Sequence, residues 1–274
     1  VTRPAAVVTD FETHLTYAAW LVRPLLNIPV IAIDHMAAFR FAQLPGFGAQ
    51  DAAFFQRMAR QHQSIVPYAT LRLVPYFTRL EMDAPNVRWV PPPVRAGVVE
   101  AQVTSSGPVV VYVGVLLTPG MRAVLEAYGP PVEVFGAEAS ATVGAVKYHR
   151  HDEERFLSAL AAAPFAVLHG GHMSLVDALA LGKPVLVCPT PGHREQAINA
   201  RVLGAVGAGR QVEQLTLDLE RQLETVKRGR FEHRKQQINR VFDDYRQWVH
   251  DTLTTEPQPW IQVLAAVTSA HAGA

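Results

Sequence analysis

The fold is decided by the stretch FAVLHGGHMSLVDALALGKPVLVCPTPGHREQAINARVLGAVG, which runs from Phe165 to Gly207. A short apolar run, Phe165 to Leu168, meets His169-Gly170-Gly171, and a helical pattern follows at once and ends at Gly182-Lys183-Pro184. That is strand, glycine turn, helix. A second apolar run, Val185 to Cys188, breaks at Pro189-Thr190-Pro191-Gly192, and a further helical pattern begins near Arg194 and carries Glu195, Gln196 and Asn199. In parallel α/β sheets such turns open at the carboxyl ends of the strands, where ligands bind. The polar residues concentrated in these two turns are therefore the candidate ligand contacts.

The same alternation extends outward from this stretch. Ala6 to Thr9 reads as a short buried strand ending at Asp10-Phe11-Glu12, followed by a helix from about Thr13 to Leu26. Val30 to Ile33 is a strand ending in Asp34-His35, and an amphipathic region follows from about Ala49 to Gln63. After a strand at Val87 to Val90, Pro91-Pro92-Pro93 forces extended backbone and removes three donors, which suits a linker. Val109 to Val115 is nearly all β-branched, the mark of a strand buried on both faces. A helix near Pro119 to Tyr128 and strands near Val132 to Phe135 and Val143 to Lys147 continue the pattern. The polar block His149 to Arg155 then opens a helix running to about Ala162. Beyond Gly209, Val212 to Arg228 and Phe231 to Leu253 are helical by periodicity, and a last short helix lies near Trp260 to Ser269. The expected class is α/β, with two Rossmann-like parallel-sheet domains. We expect residues 1–93 to form an N-terminal domain with its linker, 94–245 a C-terminal domain, and 246–274 a helical tail.

Composition sets limits on function. The 274 residues, 49% of them hydrophobic, suffice for one large or two modest domains. A net charge of +1 leaves no electrostatic footprint for nucleic acid. The single cysteine, Cys188, rules out an internal disulfide framework and reads as a buried small hydrophobe. No apolar run approaches the roughly 18 to 20 residues that span a bilayer, because Arg23 and Pro24 interrupt the best early candidate. The chain shows no charged-then-apolar leader, so the expected location is cytoplasmic, with peripheral contact at the inner membrane face left open.

His169, Gly171, Ser174, Asp177, Gly182, Pro184, Pro189 and the Glu195-Gln196 pair, with Asn199-Ala200 and Gly204 behind them, resemble in order and spacing the donor motif of GT-B nucleotide-sugar glycosyltransferases. The chain looks most similar to the bacterial and archaeal group related to the lipid-intermediate N-acetylglucosaminyl transferase, whose members also carry strands ending in Asp-Phe-Glu and Asp-His. The resemblance implies transfer of a sugar, with inversion, from a nucleotide diphosphate sugar, UDP-linked by expectation, to a hydroxyl acceptor, lipid-linked or a glycan. The nucleotide sugar is a substrate, and neither cofactor nor metal is implied.

The resemblance also distributes roles. His169, Gly170, Gly171, His172, Met173 and Ser174 would hold the diphosphate, as a helix N-terminus does for any anion, with help from Gly114 in the loop after Val109 to Val115. Asp177 occupies the position of the ribose ligand, where relatives use the longer Glu. Glu195 and Gln196 match the pair that reaches the donor sugar hydroxyls. The family's glycine-rich first βα turn, which carries a catalytic-base His, has no counterpart, so the resemblance implies an incomplete N-terminal domain. Asp34 and His35 then become the remaining acid–base candidates.

Several residues carry simpler readings as well. Ser174 and Asp177 form an S-x-x-D pattern at a helix start, which is a capping box in its own right. His193 reads as an exposed loop residue. His149, His151, Asp152 and Glu153 sit at a helix start without a second cluster, a poor arrangement for a metal, and the loop Tyr148 to His151 is a candidate lining for the nucleotide base. A nucleotide-sugar 2-epimerase, which shares the two-domain fold, and a non-catalytic nucleotide-sugar-binding or scaffold protein remain the alternatives.

Overall fold

The structure is a computed structural model that describes residues 7–26, 29–114 and 117–227. The helices expected over Phe231 to Leu253 and Trp260 to Ser269, and the tail at 246–274, lie outside the described residues. Those residues fall into two compact units, one running to Pro92 and one starting at Pro93.

The first unit is a four-stranded, wholly parallel sheet in the order β1-β2-β3-β4. Strand β1 (Val7–Asp10) leads through helix α1 (Thr13–Leu26) to β2 (Val30–Ile33). A 3-10 turn at His35–Ala37 and the short helix α2 (Ala38–Phe41) precede α3 (Ala52–Ile65). The expected amphipathic segment is thus displaced by a few residues. Its start at Ala49–Asp51 is a 3-10 turn closed by the Asp51 carboxylate, which accepts from the Gly48 N–H at 3.0 Å.

Strands β3 (Leu71–Pro75) and β4 (Val87–Val90) complete the sheet. All five residues of β3 are buried, yet the sequence does not announce it, because Arg72 interrupts the apolar run. The arginine is tolerated there because its Nη2 donates to the Val66 carbonyl at 2.8 Å and its Nη1 faces Asp34.

The second unit opens with the short helix α4 (Ala96–Val99) and builds a seven-stranded sheet in the order β11-β10-β9-β5-β6-β8-β7. The chain runs from β5 (Val109–Tyr112) through α5 (Pro119–Ala127) to β6 (Val132–Phe135), then to β7 (Ala141–Val143) and β8 (Val146–His149). Helix α6 (Glu153–Ala162) returns it to the other side of β5. There β9 (Ala166–Leu168), α7 (His172–Ala180), β10 (Val185–Val187), α8 (Arg194–Ala205) and β11 (Gly209–Gln211) follow, ahead of α9 (Leu219–Lys227). Only β7 runs antiparallel. The direction of winding reverses between β5 and β9, so the carboxyl ends of these two strands flank the switch point at which open α/β sheets bind ligands. Both turns of the opening stretch lie at this end.

Three expectations about this unit need correction. The strand expected over Val143 to Lys147 is a hairpin, β7 and β8, turned at Gly144 with φ +56°. Strand β5 stops at Tyr112 rather than Val115, shortly before Gly114, whose φ of +56° turns the backbone out of the sheet. The helix expected from Val212 starts at Leu219. Val212, Leu215 and Leu219 carry helical spacing and are all buried, but the Val212 N–H bonds to the Val187 carbonyl at 2.9 Å and so prolongs the sheet.

The core of the unit joins Val111, Val134, Val167 and Leu186 from the central strands with Leu125 of α5 and Leu223 of α9. Lys183, 2% exposed, is a polar pin just before the amino ends of the central strands: its ammonium donates to the Thr104 carbonyl and, at 2.7 Å, to that of Ala163.

Candidate functional site

The first turn is shaped by its own backbone. The His169 N–H continues the sheet by donating to the Tyr112 carbonyl at 3.1 Å. Gly170 then takes φ +92°, and a Cβ there would lie 2.9 Å from Val187 Cγ1 and 3.0 Å from the Gln196 carbonyl oxygen. Both the conformation and the space require glycine. Gly171 is the N-cap of α7, and its N–H donates to His169 Nδ1 at 3.0 Å.

His172, Met173 and Ser174 occupy the first three positions of α7, whose N–H groups have no carbonyl four residues back within the helix. Ser174 is not a cap. Its Oγ donates back to the Gly171 carbonyl at 3.0 Å, so the expected S-x-x-D capping box is replaced by a helix that starts three residues earlier.

Burial lowers the pKa of His169, His193 adds to the effect, and Glu195 opposes it. The ring is therefore neutral at pH 7. With Nδ1 accepting from Gly171, the proton belongs on Nε2, which becomes a neutral donor at the turn.

The second turn is closed by side chains. Gln196 Oε1 accepts from the Thr190 N–H at 2.8 Å, and His193, exposed as expected, caps α8 by accepting from the Gln196 N–H at 3.4 Å. Glu195 stands beside it, half-buried. The two turns are also joined to each other, because Asn199 Nδ2 donates to the Gly170 carbonyl at 3.0 Å. The Asn199 side chain is the structural residue that the motif names only in passing. Its 0% exposure and its place one turn after Glu195-Gln196 are the signals that reveal it.

Around this pair of turns the structure adds residues that the sequence did not single out. The Tyr112 ring, at the end of β5, packs 5.1 Å from His169, 5.4 Å from Phe156 and 6.4 Å from His151. Of the loop Tyr148 to His151, Tyr148 is buried and its hydroxyl donates to Glu126, while His149 pairs with Glu133 at 3.3 Å. His151 is the member that joins the Tyr112 cluster. Gly114 lies beyond β5 with open space around it. A cavity of about 480 Å³ borders the second turn, lined by Thr118, Met121, Cys188, Pro189, Pro191 and Glu213 among others. Burial pushes the Cys188 thiol up to about 11, so it stays a neutral wall residue.

Asp177 lies within α7 with 0% exposure. Its Oδ2 is 3.2 Å from Arg95 Nη2, and the same guanidinium reaches Glu153 at 2.9 Å. Burial raises its pKa to about 6, Arg95 pulls it down and Glu153 pushes it up.

In the first unit, Asp34 is 1% exposed and fully engaged. Its Oδ1 caps the 3-10 turn by accepting from the Ala37 N–H at 3.2 Å, and its Oδ2 meets His62 Nε2 at 2.5 Å and Arg72 Nη1 at 3.5 Å. His35, next along, is partly exposed and 6.3 Å from the Phe11 ring.

The sequence matches glycosyl transferase family 1 over residues 2–228. The chain belongs to this family. Transfer of a sugar from a nucleotide sugar is the activity that membership carries. The fold of this glycosyl transferase is similar to those of solved structures. One is the glycotransferase of kitacinnamycin, with TM-score 0.63 and 16% identity, covering 87% of this chain and 72% of that one. Another is a Phytolacca americana protein solved with UDP-2fluoro-glucose and pterostilbene, with TM-score 0.61 and 13% identity, covering 97% and 75%. A third is a UDP-glucose: anthocyanidin 3-O-glucosyltransferase in complex with UDP, with TM-score 0.61 and 16% identity, covering 96% and 76%. At these identities the likeness shows the fold, which is GT-B with Rossmann-like parallel sheets. No curated protein matches the sequence. Among the described residues, no group of three or more His, Cys, Asp or Glu side chains is placed to hold a metal ion, and no helix is long and apolar enough to cross a membrane.

Proposed function

We propose that this glycosyl transferase takes a UDP-linked sugar and transfers it, with inversion, to a hydroxyl of its acceptor. In that step the bond between the anomeric carbon and the β-phosphate oxygen breaks, a bond from the acceptor oxygen forms on the opposite face, and the hydroxyl proton passes to a base. UDP leaves as the anion. The observation that carries this reading is the joined pair of turns, in which Asn199 ties the Gly170 backbone to the helix bearing Glu195 and Gln196.

The roles fall on the groups that these two turns bring together. The Nε2–H of neutral His169 and the N–H groups of His172, Met173 and Ser174 are donors for the diphosphate, whose charge grows as the sugar departs. Gly114, with open space where a Cβ would stand, lets backbone approach it, while Gly170 and Gly171 shape the turn that holds it. Asp177 is the acceptor for the ribose hydroxyls. The Gln196 carbonyl is committed to Thr190, so its amide NH₂ is the group it offers a sugar, with the Glu195 carboxylate as acceptor beside it.

We assign donor binding to residues 94–245 and the acceptor side to residues 1–93. Because both oxygens of Asp34 are engaged, His35 is the better acid–base candidate of that pair. The strand endings Asp10-Phe11-Glu12 and Asp34-His35 support placement beside the lipid-intermediate N-acetylglucosaminyl transferase, and with it action at the cytoplasmic side on a lipid-linked or glycan acceptor.

Calorimetric titration with UDP tests the reading. The wild type binds, while His169→Ala and Glu195→Ala, folded by circular dichroism, bind more weakly. Absence of UDP binding by folded wild-type protein at millimolar ligand overturns it.

A further inference from the structure

Asp177 has a setting that ribose recognition alone does not explain. The residue exposes no surface, and neither carboxylate oxygen has a hydrogen-bond partner. The cation against it, Arg95, stands at ion-pair distance, 3.2 Å. The guanidinium is shared with a second acid: Nη1 lies 2.9 Å from Glu153 Oε2. The three groups come from different elements. Arg95 is the N-cap of α4, Glu153 opens α6, and Asp177 lies in the second turn of α7. They also differ in access, since the Arg95 side chain is 28% exposed, Glu153 59% and Asp177 0%.

We propose that Arg95 is a specificity-determining latch on the ribose subsite, holding Asp177 in the free protein and yielding it to the vicinal diol of an incoming nucleoside diphosphate. This rests on the reading of Asp177 as ribose ligand. The physical case is one of competition. Asp is one methylene shorter than Glu, and its carboxylate is fully buried with the guanidinium against it, so a ribose gains it only as Arg95 withdraws. A diol supplies two O–H donors to the two oxygens that now have none, which compensates for the lost cation. Arg95 in turn keeps Glu153, so its own charge stays paired on the solvent side. A nucleotide without the diol offers Asp177 nothing and leaves the latch closed. Selectivity for an intact ribose therefore arises from the difference between two partners of one buried acid, and Arg95 and Glu153 set its size.

The test compares UDP with 2′,3′-dideoxy-UDP by calorimetry in mildly alkaline buffer, where Asp177 stays ionised when its cation is removed. In Arg95→Gln the latch is gone, and UDP should bind about tenfold tighter, the equivalent of roughly one net polar interaction, while dideoxy-UDP is unchanged. In Glu153→Gln the guanidinium is left to Asp177 alone, so UDP should weaken and dideoxy-UDP again stay constant. Asp177→Asn should abolish the preference for the diol. Parallel loss of both ligands in Arg95→Gln overturns the proposal and makes Arg95 a diphosphate contact. No change in either ligand overturns it in favour of a pin for α4. If Arg95→Gln fails to fold, the exposed Glu153→Gln change decides, and an unaltered ratio between the two ligands there overturns the proposal. Failure of wild-type protein to bind UDP is a separate result, which removes the donor-site reading itself.

Discussion

The side-chain amide of Asn199 donates a 3.0 Å hydrogen bond to the carbonyl of Gly170, and both groups are buried. This bond spans the two βα turns. It fixes the glycine that shapes the first turn to the helix that presents Glu195 and Gln196.

Breaking that bond should cost both stability and ligand. Asn199→Leu keeps the branching of the side chain but leaves the Gly170 carbonyl buried and unpaired, a loss of about 1–3 kcal/mol. Asn199→Asp should be worse, because a carboxylate oxygen would face the carbonyl. Urea denaturation measures the first effect, and UDP affinity should fall by about an order of magnitude if the turns separate. An Asn199→Leu protein with wild-type midpoint and affinity would show that the turns hold their places without the bond.

Gly170 and Gly114 both have positive φ, but they make different demands. At Gly170, φ +92° lies beyond the usual left-handed region and a Cβ would press on Val187 and the Gln196 backbone. At Gly114, φ is +56° with nothing within 4 Å of an added Cβ. Gly170→Ala should cost about 2–3 kcal/mol or more, and Gly114→Ala about 1–2 kcal/mol. Denaturant midpoints of the two variants check the order, and equal losses would contradict it.

These two glycines also show what the sequence makes legible. The strand–glycine–helix units were readable because an apolar run, a Gly pair and a helical period each point the same way. The interlock was not, since it depends on Asn199 meeting a carbonyl 29 positions away. Strand β3 was hidden by Arg72, whose buried charge is acceptable only with Asp34 and the Val66 carbonyl around it. The start of α9 was misplaced because Val212 and Leu215 have the period of a helix while serving an edge of the sheet. The Arg95 contact was beyond reach for the same reason as Asn199, with 82 positions separating Arg95 from Asp177.

The raised pKa of Asp177 gives stability and binding opposite pH dependences. Its folded value, about 6, lies above the ordinary 3.8 of an aspartate, chiefly through burial. The folded state thus binds the proton more tightly. The stability this contributes is complete below pH 4 and is lost as pH rises through 6, with a cost on the order of 3 kcal/mol above it. Asp177→Asn should therefore gain stability over wild type at pH 8 and little at pH 4. UDP binding runs the other way, because the diol needs the ionised carboxylate, so wild-type affinity should fall below pH 6. Thermal melting and calorimetry across pH 4 to 8 measure both. A wild-type minus Asp177→Asn stability difference that does not vary with pH would remove the assignment.

Asp34 stands at the centre of a buried set with His62 and Arg72, so its replacement separates a structural role from a catalytic one. Asp34→Ala uncaps the 3-10 turn at Ala37 and strands the Arg72 guanidinium in a buried site, where loss of one ion-pair partner typically costs about 3–5 kcal/mol. Arg72→Met, by contrast, removes the charge along with the need for its partner and should cost less. If Asp34 serves the fold, Asp34→Ala lowers the unfolding midpoint sharply while transfer activity per folded molecule, measured well below that midpoint, stays near wild type. His35→Ala should show the reverse, a smaller change in midpoint with reduced kcat, because its side chain is partly exposed. A folded Asp34→Ala protein of normal stability but no turnover would return the catalytic role to Asp34.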